Sequence, residues 1–278
     1  WLVAVNEKKA LYKDTSVTDA MQRIALSNIW SFGWAYLSAK GKNKAEDAVF
    51  RMKAAKMLAA YQHTFTRLAK EFGVTIVAGS IVLPQPEVKD GVIVLHNGGK
   101  LYNVSAVFDR NGKVLAPLTQ KIATIEAEKP FTENAISSTL PVYTTIAGKL
   151  GVLISTDAWF PENYTTLQKK QATLLAVPAF SVGNNAWDSI WKGYDGGAPP
   201  AGIEINDIRK ITQREALLKY AMTGRVNTTP IKKAVSVFLQ GDLWNMGTDG
   251  NTLIWNIDKP IVAADTEPQA GSLINVWL

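Results

Sequence analysis

One stretch limits the folds open to this chain more than any other. Phe50, Ala54, Met57, Tyr61, Phe65, Leu68 and Phe72 recur at steps of three and four, an apolar stripe along one helix face. Gly73 follows as a stop signal, and "VTIVAGSIVL" then reads as a buried, β-branched strand. The spacing predicts a helix over residues 44–72 that packs its stripe against a sheet.

The downstream chain alternates strands and helices. Hairpin turns are expected at Asn97-Gly98-Gly99, at Asn111-Gly112 and around Ala147-Gly148. "ENYTTLQKKQA" reads as a helix, "TLLAVPAF" as a strand, and "AWDSIWKGYDGGAPPAG" as a surface loop. Residues 207–223 read as an amphipathic helix, and "KKAVSVFLQ", "GNTLIWNI", "KPIVAAD" and "GSLINVWL" as strands. With no repeat or linker, the 278 residues are expected to form a single α/β domain. Trp1-Leu-Val-Ala-Val reads as a strand already under way, so residues before Trp1, and any targeting segment with them, are expected to be missing.

Charge is uneven. Residues 1–70 hold 12 Lys+Arg against 5 Asp+Glu, a balance of +7, whereas the remainder holds 18 against 19. The cluster "KGKNKAED", followed by Arg51, Lys53 and Lys56, dominates this excess. It reads as a solvated helix face, with a membrane surface or another anionic partner as the sharper alternative. Basic and aromatic residues do not interleave as a nucleic-acid groove requires. The absence of cysteine excludes disulfides and a thiol nucleophile. The two histidines, His63 and His96, read as helix-face and turn residues, so no metal site or cofactor is expected and acid–base chemistry falls to carboxylates and lysines.

Three polar residues are each expected at a strand end: Glu7 after "WLVAVN", Lys121 after "LAPLTQ", and Ser155 after "GVLI". The surrounding motifs resemble those of the nitrilase, or carbon–nitrogen hydrolase, superfamily. "FTRLAKEFGVTIVAGS" is similar to its helix–strand segment, "LYNVSAVFDRNGKVLAPLTQK" to the hairpin leading to its lysine, and "ATLLAVPAFSV" to the strand after its nucleophile. "GVLISTDAWFPE" resembles its nucleophile elbow, with Asp157, Phe160, Pro161 and Glu162 in register and Ser155 at the cysteine position.

The resemblance implies a four-layer αββα sandwich of the nitrilase type, here lacking the first strand and helix, that assembles as a homodimer or larger homo-oligomer. It implies a Glu-Lys-Cys site acting on a non-peptide carbon–nitrogen bond of a small-molecule amide or nitrile, with the cytoplasm as the family's default compartment. Carried over by position, Glu7 is the base and Lys121 the electrostatic stabiliser. Ser155 is the substituted nucleophile, and Thr156 supplies an oxyanion N–H. Glu128, with Glu126 as the alternative, is the second glutamate. Asp157 and Glu162 brace the elbow. Trp159, Phe160, Trp187 and Trp191 are pocket candidates, with core packing or loop anchoring as the alternative for each. Asn6 stands where the family usually has proline. Residues 14–48 read as an insertion, with "NIWSFGWAYL" lidding the site, covering an oligomer surface or simply buried against the domain.

A hydroxyl is a far weaker acid than a thiol, and no histidine falls in a family motif to activate it. Three readings stay open: a hydrolase whose cysteine was replaced by design, a natural pseudoenzyme that binds a metabolite or partner, and a working serine. A fourth, from another class, is a peripheral membrane or scaffold-binding module reusing the fold.

Overall fold

The computed structural model describes residues 1–2, 14–241, 244–257, 259–264 (backbone only) and 273–276. Glu7 and all but Trp1 and Leu2 of the strand expected at the start of the chain lie outside the described residues; those two lie in no strand. The chain divides into two compact units, residues 1–134 and 135–278.

In the first unit the predicted long helix is present. Helix α3 spans Lys44–Phe72, is capped by the Asn43 side chain accepting from the Ala45 and Glu46 N–H groups, and ends at Gly73 with φ of 61°. Only glycine takes that left-handed cap without steric cost. Ala54, Met57, Leu58, Tyr61 and Ala69 form its buried face, packed on Ala78, Ile81, Leu83, Val104 and Phe108. The buried Tyr61 hydroxyl accepts the Ala106 N–H at 3.2 Å. Phe72 was expected to close the stripe but is 65% exposed, because the helix outruns its core after Ala69.

Two shorter helices precede it, α1 (Val17–Leu26) and α2 (Ile29–Ser38). Ser16 caps α1 by accepting from the Asp19 N–H. In α2 only Ala35 is buried, whereas Trp30 is 85% and Trp34 74% exposed. This overturns the expectation that "NIWSFGWAYL" is simply buried against the domain. The solvated-face reading of the basic cluster also needs correction: Arg51 and Lys53 are buried. Arg51 pairs with buried Asp47 at 2.8 Å and donates to the Asn97 and Gly99 carbonyls at 2.6 and 2.8 Å. Asp47 in turn accepts the Lys40 and Gly41 N–H groups. A charge in the interior is tolerated only when its hydrogen-bonding capacity is met in this way.

The run "VTIVAGSIVL" divides into β1 (Ile76–Val77) and β2 (Ile81–Pro84). Strands β3 (Glu87–Lys89) and β4 (Val92–Val94) form a hairpin over Asp90 and Gly91, whose φ values of 53° and 81° suit a two-residue primed turn. The sequence reading missed this Asp-Gly signal. It placed a hairpin instead at residues 97–99, where β4 and β5 (Leu101–Ser105) do not pair. β5 pairs with β2 and β7 (Thr119–Gln120), and Arg51 holds the intervening turn. β6 (Val107–Phe108) pairs with β1, and the Asn111-Gly112 turn closes through the Phe108–Val114 bridge.

The second unit is built on one six-stranded sheet. Strands β8 (Val142–Thr145), β9 (Gly148–Val152), β10 (Leu174–Ala179), β11 (Lys233–Phe238), β12 (Thr252–Asn256) and β13 (Lys259–Ala264) lie in sequential order. β8 and β9 form the hairpin expected around Ala147-Gly148. β9, β10 and β11 are parallel neighbours, so each link between them must cross over. Helix α4 (Pro161–Lys169) makes the first crossover. The second carries α5 (Gln213–Tyr220) and α6 (Met222–Val226). The helix expected over 207–223 therefore starts later and is broken. Thr212 and Glu215 form a capping box that fixes its start, and residues 208–211 stay outside it. Of "GSLINVWL", residues 273–276 are described and lie in no strand; the others lie outside the described residues.

Asp47→Ala removes one member of a buried ion pair and strands the Arg51 guanidinium. The expected loss is about 3–5 kcal/mol, read as a lower urea midpoint. An unchanged midpoint would contradict the role given to this pair.

Candidate active site

In the second unit, Val152, Leu153 and Ile154 carry the chain through the core, and the Leu153 N–H still donates to the Ala176 carbonyl of the next strand. The backbone then reverses at Ser155, which has φ of 49°. Left-handed backbone is unfavourable for a residue with a Cβ and persists only where its surroundings impose it. Asp157 is central to that imposition. Its carboxylate is fully buried and accepts the Ile154 N–H at 3.2 Å, while its own N–H donates to the Ile154 carbonyl at 3.0 Å. A single 3-10 turn, Ser155–Trp159, results, and Pro161 starts α4 at the position where a missing N–H costs nothing.

Buried residues of α4 hold the turn from its other side. The Asn163 amide donates to the Asp157 carbonyl and the Tyr164 hydroxyl to the Ala158 carbonyl, both at 2.8 Å. Burial pushes the Tyr164 phenol far above the ordinary tyrosine range, so it remains a donor. Glu162 is exposed in the first turn of α4, where a negative charge meets the helix dipole favourably; its backbone carbonyl accepts from Ser137.

Ser155 and Thr156 line a cavity of about 150 Å³, together with Trp159, Trp191, Tyr194 and Ser236. Trp159 stacks on Trp191 with ring centres 5.8 Å apart. Of the other predicted pocket aromatics, Phe160 packs edge-on against Tyr194, itself a lining residue. Trp187 does not line the cavity. It is buried edge-to-face on Phe238, its backbone N–H donates to Asp249, and the Arg214 guanidinium lies 5.6 Å from its ring. The segment read as a surface loop is thus partly interior: the Trp191 N–H and carbonyl pair with Ile211 and Arg209. Tyr194, Ser236 and Gln213, also a lining residue, were missed. The concentration of aromatics in a Gly/Pro-rich stretch was the available signal.

The first unit holds a separate polar cluster. Lys121 immediately follows β7, is only 4% exposed, and pairs with Glu128 at 2.5 Å. Glu128 also accepts from the Asn103 amide at 2.8 Å and the Ile125 N–H at 3.1 Å. The Asn103 carbonyl accepts the Lys121 backbone N–H, closing the group. Glu126, the alternative second glutamate, pairs with Lys129 at the surface instead. Asn103 was not singled out from sequence, although it is the asparagine of "LYNVSAV". Chemically, the cluster presents a desolvated ammonium whose position is fixed by a carboxylate, an arrangement suited to stabilising negative charge. Among the described residues no group of three His, Cys, Asp or Glu side chains is placed to hold a metal ion.

If Ser155 is held in left-handed backbone, Ser155→Val should cost about 1–3 kcal/mol while Ser155→Gly leaves stability equal or higher. Chemical denaturation of both variants checks this; a valine variant as stable as the serine protein would refute the strained turn.

A family model described as "Carbon-nitrogen hydrolase" matches residues 7–193. Among solved structures, a cysteine-to-alanine mutant of an amidase from Nesterenkonia sp. AN1, of the nitrilase superfamily, is similar at 17% identity and TM-score 0.52, over 77% of this chain and 66% of that one. A glutamate-to-glutamine mutant of the amidase, showing Michael addition of acrylamide at the active-site cysteine, matches at 16% identity and TM-score 0.50, over 76% and 67%. A cysteine-to-alanine mutant in complex with butyramide matches at 16% and 0.50, over 76% and 65%. The chain thus spans about two thirds of the length of these structures, and the likeness gives it the mixed α/β fold of the nitrilase type. No curated protein matches significantly.

Proposed function

The chain belongs to the carbon–nitrogen hydrolase family, and on that premise we propose that it retains an amide-binding hydrolase site whose turnover is strongly impaired by serine at the nucleophile position. One observation carries this reading: Ser155 sits in left-handed backbone at a strand-to-helix turn and lines a cavity. Strain of that kind is retained where function needs one side chain presented at a sharp turn.

In this reading the substrate carbonyl meets the Ser155 hydroxyl, and the Thr156 N–H donates to the oxygen that gains charge. Lys121 supplies the positive charge, held by Glu128, and Glu7 moves the proton. Cleavage of an amide would form an ester at Ser155 with release of ammonia, and water would then release the acid. A carboxylate is a weak base toward a hydroxyl, so in this reading the acylation step is slow. The cavity favours a small substrate: about 150 Å³ accommodates a molecule of benzene size. The cysteine-to-alanine mutant of the amidase from Nesterenkonia sp. AN1 that is similar to this chain is in complex with butyramide, an amide within that range.

Ser155→Cys should raise ammonia release from a panel of short aliphatic amides and nitriles by about a hundredfold or more. Adding Lys121→Ala should return the rate to that of the serine protein. A folded Ser155→Cys protein that releases no ammonia from any member would overturn the hydrolase reading and favour a pseudoenzyme.

A further inference from the structure

Helix α2 carries an apolar face that the first unit does not cover. Ile29, Trp30, Trp34 and Leu37 are 60%, 85%, 74% and 77% exposed, and Leu26, just before it, is 72% exposed. At about 100° per residue, Ile29, Leu37, Trp30 and Trp34 fall within about 140° of one side, facing away from buried Ala35. Leaving such a patch in water is unfavourable, and contiguous patches of this kind mark a surface that meets another phase or molecule.

Charge decides between the occupants. Lys40, Lys42 and Lys44 follow α2 directly and are exposed. Among the described residues none of the three forms an ion pair, and the Lys44 ammonium lies 5.9 Å from the Tyr36 ring of α2. They cluster at the start of α3, the positive end of a 29-residue helix, where cations do nothing for helix stability. Neighbouring acids are largely committed elsewhere: Asp47 to Arg51 inside the unit, and Asp14 to Arg23. Asp19 is exposed on α1 but accepts from Ser16, and Glu46 is half-buried. Tryptophans beside lysines match an interface whose inner zone is apolar and whose outer zone carries negative headgroups.

We propose that α2 and Lys40, Lys42 and Lys44 form a peripheral docking face for an anionic lipid surface, on which Trp30, Trp34 and Leu37 enter the headgroup boundary while the lysines pair with phosphate. The helix is about 15 Å long, so it lies along the surface. Among the described residues no helix is long and apolar enough to cross a membrane.

Co-sedimentation of the whole chain with vesicles tests this. With about three-to-one phosphatidylcholine and phosphatidylserine, binding is expected, and it should weaken as salt rises. Binding to phosphatidylcholine alone should be far weaker. Lys40→Ala/Lys42→Ala/Lys44→Ala should lower partitioning by about a hundredfold, at about fivefold per lysine. Trp30→Ser/Trp34→Ser should lower it by about tenfold or more. Brominated anionic lipid should also quench part of the wild-type tryptophan fluorescence, a readout that needs no variant. Equal binding to neutral vesicles would overturn the anionic assignment. No binding to either kind would overturn the proposal, and if Trp30→Ser/Trp34→Ser then dissolves a self-association seen by sedimentation equilibrium, the face is a contact between copies.

Discussion

The geometry of the candidate site depends on one buried carboxylate. Asp157 has no exposed surface, and it bonds the backbone of Ile154 at the point where β9 leaves the sheet. A charge or strong acceptor that deep must find donors, and the nearest are the backbone groups of the turn itself. Meeting that requirement forces the reversal that puts Ser155 into left-handed backbone. Asn163 and Tyr164 then donate to the Asp157 and Ala158 carbonyls of the turn. A buried polar group, the strained residue and the following helix thus form one interdependent arrangement, and the cavity lies beside it.

The first unit uses the same physics twice. Asp47 and Arg51 tie α3 to the turn at residues 97–99, and Lys121, Glu128 and Asn103 hold a desolvated ammonium after β7. Neither group gains much stability from charge attraction alone, because both partners give up hydration. What each provides is position. For Arg51 the position belongs to a loop; for Lys121 it is a fixed cation, which the proposed chemistry uses against negative charge.

The basic residues of the first 70 do not share one environment. Arg51 and Lys53 face inward, whereas Lys40, Lys42 and Lys44 remain in solvent beside exposed tryptophans. Composition alone counts these lysines and arginines together. Charge left in solvent can act at long range on a partner, whereas a buried, paired guanidinium such as Arg51 has little outward field.

Local rules made part of this protein legible in its sequence. The stripe from Phe50 and the glycine at 73 determined α3, since helix periodicity and left-handed caps depend on near neighbours. The strand-to-helix turn after Gly151 was likewise legible, because the hydrogen bonds between Asp157 and Ile154 that shape it span only a few residues. Other features needed contacts distant along the chain. The turn at residues 97–99 carries a hairpin signature, yet strand pairing sends its flanks to different neighbours, and Arg51, 46 residues earlier, holds it. Trp187 and Trp191 looked like equivalent loop aromatics, but packing made one a cavity wall and the other a core ring. Trp30 and Trp34 could equally have been interior. Their exposure was decided by which face of α2 meets α3, a choice made by tertiary packing because both faces of that helix are apolar.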